Sequence, residues 1–307
     1  MFLSPNQHSN VYNPRVRRLL TAALVLVSAT LAAAQPGTTR LYVFATDRTG
    51  TAVEDLSAAD FDVKENGTAC RVIRVRHGSE PMRLIMLVDN SDAIAIDPLR
   101  KGLREFISRI PADAEIGLVT IAGGGYDLRV APTPDRSRLE KGVNSLYSDG
   151  GGPRVAESLM QADTALFRDR ADRWPVFVLV TADSGVNTTA VKQIEFDAFS
   201  THLQAVAASV HAVVLADAGN SQGARVLNAL ATNLTQNTGG LFEEIANTRT
   251  LADTLAKVGE RIASDHKRMA AGYELEFVGV PPGPGAALEV GTARDGVTLL
   301  PSLRRVP

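Results

Sequence analysis

The stretch "LIMLVDNSDA", residues 84–93, joins an apolar run to a polar loop. The continuous apolar residues are typical of a strand that is buried on both faces of a parallel sheet. Asp89 follows directly, with Ser91 two places further along the chain. A carboxylate and a hydroxyl at alternate positions after such a strand are possible ligands of a divalent metal ion, which prefers oxygen atoms. Ala93 stands where a further oxygen ligand would be expected.

Further apolar runs follow along the chain, and amphipathic segments separate them. In the segment 96–110, for example, large apolar side chains recur at helical spacing. Buried strands that alternate with such helices predict right-handed crossovers and a doubly wound, mostly parallel sheet of the Rossmann-like α/β class. The predicted strands are 83–89, 115–122, 174–183, 210–217 and 239–245, and the predicted helices are 96–110, 134–146, 154–170, 189–206, 222–237 and 248–269.

The segments on either side of this α/β region have a β pattern. Residues 40–80 contain short alternating stretches with a turn at Asn66-Gly67, and residues 270–307 contain alternating stretches around a Pro/Gly-rich turn. Neither segment has enough strands for a stable core by itself. We therefore predict one small discontinuous β domain, into which the α/β domain, residues 81–269, is inserted.

Residues 1–34 have the pattern of a secretory signal peptide. Three arginines precede an apolar run at 19–31, which ends in Ala32-Ala33-Ala34. We expect cleavage after Ala34 and export to the periplasm or the extracellular space. The apolar run is too short to span a bilayer comfortably, so no transmembrane span is expected in the mature chain.

Composition limits the class of partner. The chain has 307 residues, of which 45% are hydrophobic and 21% are charged, as in a globular protein with a large core. Cleavage would remove three arginines and no acidic residue, which changes the net charge from −2 to −5. A mildly acidic chain is a poor candidate for binding nucleic acid. Cys70 is the single cysteine, so no internal disulfide is possible, and we expect it to pack as a small apolar residue.

Three polar stretches fall at the expected carboxyl ends of strands, where open α/β sheets bind ligands. They are "DNSDA" from Asp89, "SDGGGPRVAES" from Ser148 and "TADSG" from Thr181. Together they resemble the von Willebrand factor type A family. The leading stretch "LYVFATDRTGTAVEDLSAADFDVKENG", residues 41–67, is similar to the N-terminal segment of the VWFA-related domains of acidobacterial type. The resemblance covers about residues 40–306.

The resemblance implies a metal-ion-dependent adhesion site, formed by D-x-S-x-S, a Thr in a second loop and an Asp in a third. Asp89 and Ser91 match the first loop, and Asp183 matches the third. Ala93 replaces the second Ser, and Pro153 stands where the Thr aligns. The implied site is therefore degenerate, with no metal or a weakly bound Mg²⁺. The residues also allow structural roles, in which Asp89 holds backbone N–H groups and Asp183 forms a turn.

The expected function is that of an exported, non-enzymatic protein-interaction module, an adhesion or scaffold protein that binds a partner protein or a cell-envelope component. One alternative is a metal-dependent adhesion protein that uses Mg²⁺. Another is a structural envelope protein with an inert carboxyl-edge face, in which the β domain makes the contacts. The sequence contains no G-x-S-x-G, H-E-x-x-H or phosphate-loop motif, which argues against an enzyme. His211 lies in an apolar run and is interpreted as a core histidine.

Overall fold

The computed structural model describes residues 38–78, 81–123, 125–168, 173–182, 191–216, 222–279 and 288–305. The predicted signal peptide, residues 1–34, and the candidate ligand Asp183 lie outside these ranges. The chain divides between Ala34 and Gln35, and Gln35–Pro307 is one compact unit. Within the described ranges, no helix is long and apolar enough to cross a membrane.

The α/β part contains a mixed sheet with the strand order β6-β5-β4-β7-β8-β9. The predicted apolar runs form its strands, and β4, from the opening stretch, pairs in parallel with β5 and β7 at the centre. Pairing is parallel throughout, except that β6 runs antiparallel to β5 at one edge. The strands are β4 (Met82–Val88), β5 (Glu115–Thr120), β6 (Asp127–Thr133), β7 (Trp174–Ala182), β8 (Ser209–Leu215) and β9 (Phe242–Ile245).

Helices cover both faces of this sheet because successive side chains of a strand point in opposite directions. Met86 on β4 packs in one apolar layer with Leu103 of α1 and Leu255 of α6. Its neighbour Leu87 packs in the other layer, which contains Leu159 of α3. The helices are α1 (Ile96–Arg109), α2 (Arg136–Asn144), α3 (Val155–Leu166), α4 (Gln193–Ala205), α5 (Gln222–Thr238) and α6 (Leu251–Ala270).

A second sheet combines strands from both ends of the described chain, in the order β11-β2-β3-β10-β1-β12. All of its pairings are antiparallel, and β10 lies between β3 and β1. Cys70 is half-buried against the apolar core of this sheet, as expected for a small apolar residue. The strands are β1 (Thr38–Thr46), β2 (Phe61–Glu65), β3 (Thr68–His77), β10 (Tyr273–Val278), β11 (Leu288–Thr292) and β12 (Thr298–Arg305).

Two glycines lie side by side where the chain passes between the second sheet and the α/β part. The backbone N–H of Gly78 donates to the carbonyl of Gly272 at 3.0 Å. A Cβ atom at Gly78 would lie 2.6 Å from the carbonyl oxygen of Met269, and one at Gly272 would lie 2.8 Å from that of Val43. Glycine is therefore required at both positions, because real Cβ atoms do not approach backbone oxygens so closely.

The start of the last helix differs from the prediction. Thr248–Thr250 form a 3₁₀ turn, and α6 begins at Leu251. Asn247 caps the 3₁₀ turn, because its side chain accepts a hydrogen bond from the N–H of Arg249 at 3.0 Å, and Thr250 is the N-cap residue of α6 without a side-chain hydrogen bond. Asn is a favoured N-cap residue, because its side-chain oxygen accepts from an N–H group that has no acceptor within the first turn.

Candidate functional site

The candidate site lies at the carboxyl edge of the parallel sheet, where three loops meet. The N–H of Ile121, after β5, donates to the carbonyl of Val88 at the end of β4 at 3.0 Å. The N–H of Asp149, in the loop before α3, donates to the carbonyl of Asn90 at 2.8 Å, and that of Arg154 donates to Ile121 at 3.1 Å. The first and second predicted loops are therefore adjacent, as the resemblance implies.

Asp89 is fully buried and connects two of the central strands. Its Oδ1 accepts a hydrogen bond from the N–H of Ser91 at 2.9 Å. Its Oδ2 accepts one from the N–H of Ala182 at 3.1 Å and one from the hydroxyl of Thr181 at 3.2 Å. Hydrogen bonds to a charged acceptor are stronger than those between neutral groups. The carboxylate thus fixes the loop after β4 against the end of β7, which is the structural role that the sequence allowed.

The next two residues, Asn90 and Ser91, carry polar atoms in a buried position. Asn90 is 4% exposed, and its Nδ2 donates to the carbonyl of Tyr147 at 3.0 Å. Its Oδ1, and the Oγ of the 5% exposed Ser91, have no hydrogen-bond partner among the described residues. Leaving a buried polar atom without a partner is costly, so these two oxygens are candidates for contact with water or a ligand.

The positions that depart from the family pattern provide no side-chain oxygen. Ala93 is exposed in the loop before α1, and Pro153 is buried just before α3.

Two other acidic residues lie in this region. Asp92 accepts a hydrogen bond from the hydroxyl of Ser148, and Asp149 lies against Gly123, where a Cβ atom would be 3.1 Å from its Oδ2. Gly123 has φ = +66°, a conformation that favours glycine.

The described ligand set is small for a magnesium ion. Of the three predicted ligands, Asp183 lies outside the described residues, and the Asp89 carboxylate already accepts three hydrogen bonds. Ser91 provides one hydroxyl without a partner. Mg²⁺ requires six oxygens in nearly octahedral geometry. Within the described ranges, no group of three or more His, Cys, Asp or Glu side chains is arranged to hold a metal ion. These residues do not by themselves fit a resident Mg²⁺.

An exposed aromatic side chain, which the sequence did not single out, adjoins this loop. Tyr147 is 53% exposed, and the guanidinium carbon of Arg129 lies 5.1 Å from its ring centroid, within cation–π range. Arg129 also donates to Asp127 at 2.9 Å, and this hydrogen bond raises the pKa of its guanidinium. Leu128, on the same strand, is 38% exposed. Tyrosine and arginine together are typical of protein-binding surfaces.

His211, the predicted core histidine, is fully buried on β8. The N–H of Leu241 donates to its Nδ1 at 3.1 Å, so the proton of the neutral ring is on Nε2. That nitrogen lies 2.9 Å from the Oγ of Ser209, to which it donates. Burial lowers the pKa of His211 to about 4, so the ring is neutral at neutral pH. The side chain is therefore a structural bridge between β8 and the segment that precedes β9.

No protein-family model matches the sequence, and no curated protein matches it. Solved structures similar to the chain include von Willebrand factor type A domains. One, described as von Willebrand factor type A from Catenulispora acidiphila, is 11% identical over 89% of this chain and 74% of that chain, with a TM-score of 0.48. The VWA domain of SpRpn10 is 11% identical over 59% of this chain and 97% of its own, with a TM-score of 0.46.

A third structure, the pilus adhesin SpaC from Lactobacillus rhamnosus GG in an open conformation, is 11% identical over 80% of this chain and 41% of that chain, with a TM-score of 0.48. The family that two of these descriptions name is the one that the sequence resembles.

Proposed function

We propose that this chain is an exported, non-enzymatic protein-interaction module that binds a partner protein, or a protein of the cell envelope, through the carboxyl edge of its α/β sheet without a metal ion. The observation that carries the proposal is the position of Tyr147. Its ring is 53% exposed beside Arg129, and its backbone carbonyl is held by the side chain of Asn90, next to Asp89.

Tyrosine and arginine supply much of the binding energy in protein interfaces because each combines a large contact area with a polar end. Tyr147 loses little conformational freedom on binding, since Arg129 and Asn90 already restrain its ring and its backbone. A partner with an apolar pocket and an acidic group fits this surface.

The metal-independent form of the proposal rests on the departures from the family motif. Ala93 and Pro153 provide no side-chain oxygen, and the three hydrogen bonds that Asp89 accepts give its carboxylate a structural role. We infer that Asp89, Ser91 and Asp183 are what is left of a degenerate site. The partner would contact the edge directly, through hydrogen bonds and apolar side chains.

Export and the nested arrangement of domains belong to the same proposal. Export is inferred from the basic and apolar pattern of residues 1–34, with cleavage expected after Ala34. Strands from 40–80 and 270–307 pair in one sheet, which supports a doubly wound α/β domain, 81–269, inserted into a discontinuous β domain. Export would place the module in the periplasm or outside the cell.

A metal-dependent adhesion site is the second candidate, and one observation favours it. The Oγ of Ser91 is buried with no hydrogen-bond partner among the described residues, as expected for a hydroxyl that awaits an ion. An inert carboxyl edge, with the β domain making the contacts, is the third candidate. If the site is metal-dependent, a chelator should abolish partner binding. If the carboxyl edge is inert, partner binding should require the second sheet and not this edge.

The test is retention of a partner from the envelope fraction by immobilised chain, with and without EDTA. We compare the wild type with Tyr147→Ala and with Ile73→Ala, which removes a 44% exposed apolar side chain from the second sheet. We expect Tyr147→Ala to reduce the apparent affinity for the retained protein at least tenfold, and EDTA and Ile73→Ala to leave it unchanged. Loss of binding in EDTA would support the metal-dependent alternative, and loss in Ile73→Ala alone would support the third.

A further inference from the structure

A cavity of about 330 Å³ lies at the opposite end of the parallel sheet from the carboxyl edge. Trp174 and Ser209, the first residues of β7 and β8, line it, and so does Gly239 after α5. Residues of β1 and β12 in the second sheet and of the last turns of α6 complete its wall. The volume falls within the range of small-molecule sites, roughly 300–1,000 Å³.

One part of the wall is apolar. Phe44, Trp174 and Met269 line the cavity, and Trp174 is only 3% exposed. The Trp174 ring is parallel to that of His266 at 6.0 Å between centroids, which restrains its orientation. Leu300 also lines the cavity but is 55% exposed, which places it at the open side. A large exposed apolar side chain beside an apolar cavity favours a ligand with a hydrocarbon body.

The charged part of the wall has more positive than negative groups. Asp265 accepts hydrogen bonds from Arg261 Nε at 2.7 Å and from the guanidinium of Arg268. All three side chains line the cavity, so two guanidinium groups share one carboxylate. A guanidinium has five N–H donors, and each of these two uses one of them on Asp265. The surplus positive charge and the remaining donors favour an anion.

A buried hydroxyl adds an independent indication of a hydrogen-bond acceptor in the ligand. Ser209 lines the cavity and is 5% exposed. Its Oγ accepts the Nε2 proton of His211, because the N–H of Leu241 occupies the other ring nitrogen. The hydroxyl hydrogen of Ser209 is therefore a donor with no acceptor among the described residues. Donors in the cavity thus come from two elements, β8 and α6.

We propose that this cavity binds a small amphipathic carboxylic acid in its ionised form. The carboxylate faces Arg261 and Arg268, and the hydroxyl of Ser209 supplies a further donor. The hydrocarbon part lies along Trp174 and Met269 and ends near Leu300. Arginine suits this role because it is charged at any physiological pH and its planar group matches the geometry of a carboxylate. This binding does not depend on the partner surface around Tyr147.

The first test is isothermal titration of the purified chain with octanoate, 1-octanol and octylamine, which share a hydrocarbon chain and differ in charge. We expect one octanoate per chain with a dissociation constant at or below about 1 mM, and binding of the alcohol and the amine at least tenfold weaker. Equal binding of octanoate and 1-octanol, preference for the amine, or no binding of octanoate would each overturn the proposal. Binding of several octanoate molecules per chain, with affinities that Arg268→Gln and substitutions of Leu300 do not change, would also overturn it.

A matched pair of substitutions tests the position of the site. Leu300→Glu and Leu300→Lys remove the same side chain and differ in the sign of the new charge. Leu300 is largely exposed, so both variants should fold, which circular dichroism checks. We expect octanoate to bind Leu300→Glu at least tenfold more weakly than Leu300→Lys, and Arg268→Gln about tenfold more weakly than the wild type. Tyr147→Ala should not change octanoate binding. Equal affinities in the two Leu300 variants would contradict the proposed site.

Discussion

The side-chain amide of Asn90 donates to the backbone carbonyl of Tyr147 at 3.0 Å. This contact joins the loop that follows the central strand β4 to the loop that presents the exposed tyrosine. The backbone of Asn90 also accepts a hydrogen bond from the N–H of Asp149 at 2.8 Å. The residue therefore holds the second loop in place from both its side chain and its main chain.

Replacing this amide should weaken partner binding more than it weakens the fold. We expect Asn90→Ala to lower the free energy of unfolding by about 1 kcal/mol, the usual net contribution of one hydrogen bond. Partner affinity should fall several-fold because Tyr147 loses its restraint. Urea denaturation and the retention assay measure the two effects. Unchanged partner binding in a folded Asn90→Ala variant would show that the contact does not position the tyrosine.

Asp89→Ala should destabilise the protein strongly. The substitution leaves the N–H groups of Ser91 and Ala182 and the hydroxyl of Thr181 buried without their acceptor, each of which is costly. We expect a loss of about 3 kcal/mol in chemical denaturation without added metal. The control is Asp92→Ala in the same loop, whose carboxylate accepts one exposed hydrogen bond. A loss no larger than that of the control would assign Asp89 a role other than structural support.

Parts of this site could be predicted from sequence and parts could not. The apolar residues 84–88 identified β4, because a run that is buried on both faces leaves a local signal. Asp89 and Ser91 were recognisable from their spacing after the strand. The contact between Asn90 and Tyr147 joins residues far apart in sequence, and neither position has a local pattern that predicts it. The cavity beside α6 likewise depends on side chains from strands and helices that meet only in the folded chain.

Adjacent glycines after α5 should differ greatly in their tolerance of a methyl group. A Cβ atom at Gly240 would lie 1.8 Å from the carbonyl oxygen of Val210, whereas one at Gly239 would meet nothing within 4 Å. Gly239 has φ = +70°, so alanine there costs about 1–2 kcal/mol of backbone strain. We expect Gly240→Ala to lose more than about 4 kcal/mol or to fail to fold. Thermal denaturation of the two variants compares them, and similar losses would contradict the close approach.

Acid should destabilise the fold through His211. Its pKa is lowered from 6.5 to about 4 by burial, so the unfolded chain binds a proton between these pH values while the folded chain does not. The contribution of His211 to the free energy of unfolding is therefore at its full value above pH 6.5. It decreases as the pH falls toward 4, by up to about 3 kcal/mol.

The His211 titration can be followed directly by NMR of the imidazole resonances. We expect His211 in the folded protein to remain mostly neutral above pH 5. His202 is the internal control, because its hydrogen bond to Asp163 raises its pKa above 6.5 and it should titrate at higher pH. Titration of both rings near pH 6.5 would contradict the buried, neutral state of His211.

Metal titration of the purified chain is the most direct test of metal-independent recognition. We expect Mg²⁺ and Mn²⁺ to show no binding tighter than about 1 mM by isothermal titration calorimetry. The positive control is the double variant Ala93→Ser with Pro153→Thr, which restores two hydroxyl ligands and should bind these ions measurably. Wild-type binding tighter than about 1 mM that Ser91→Ala abolishes would contradict the proposal and establish a working metal site at the carboxyl edge.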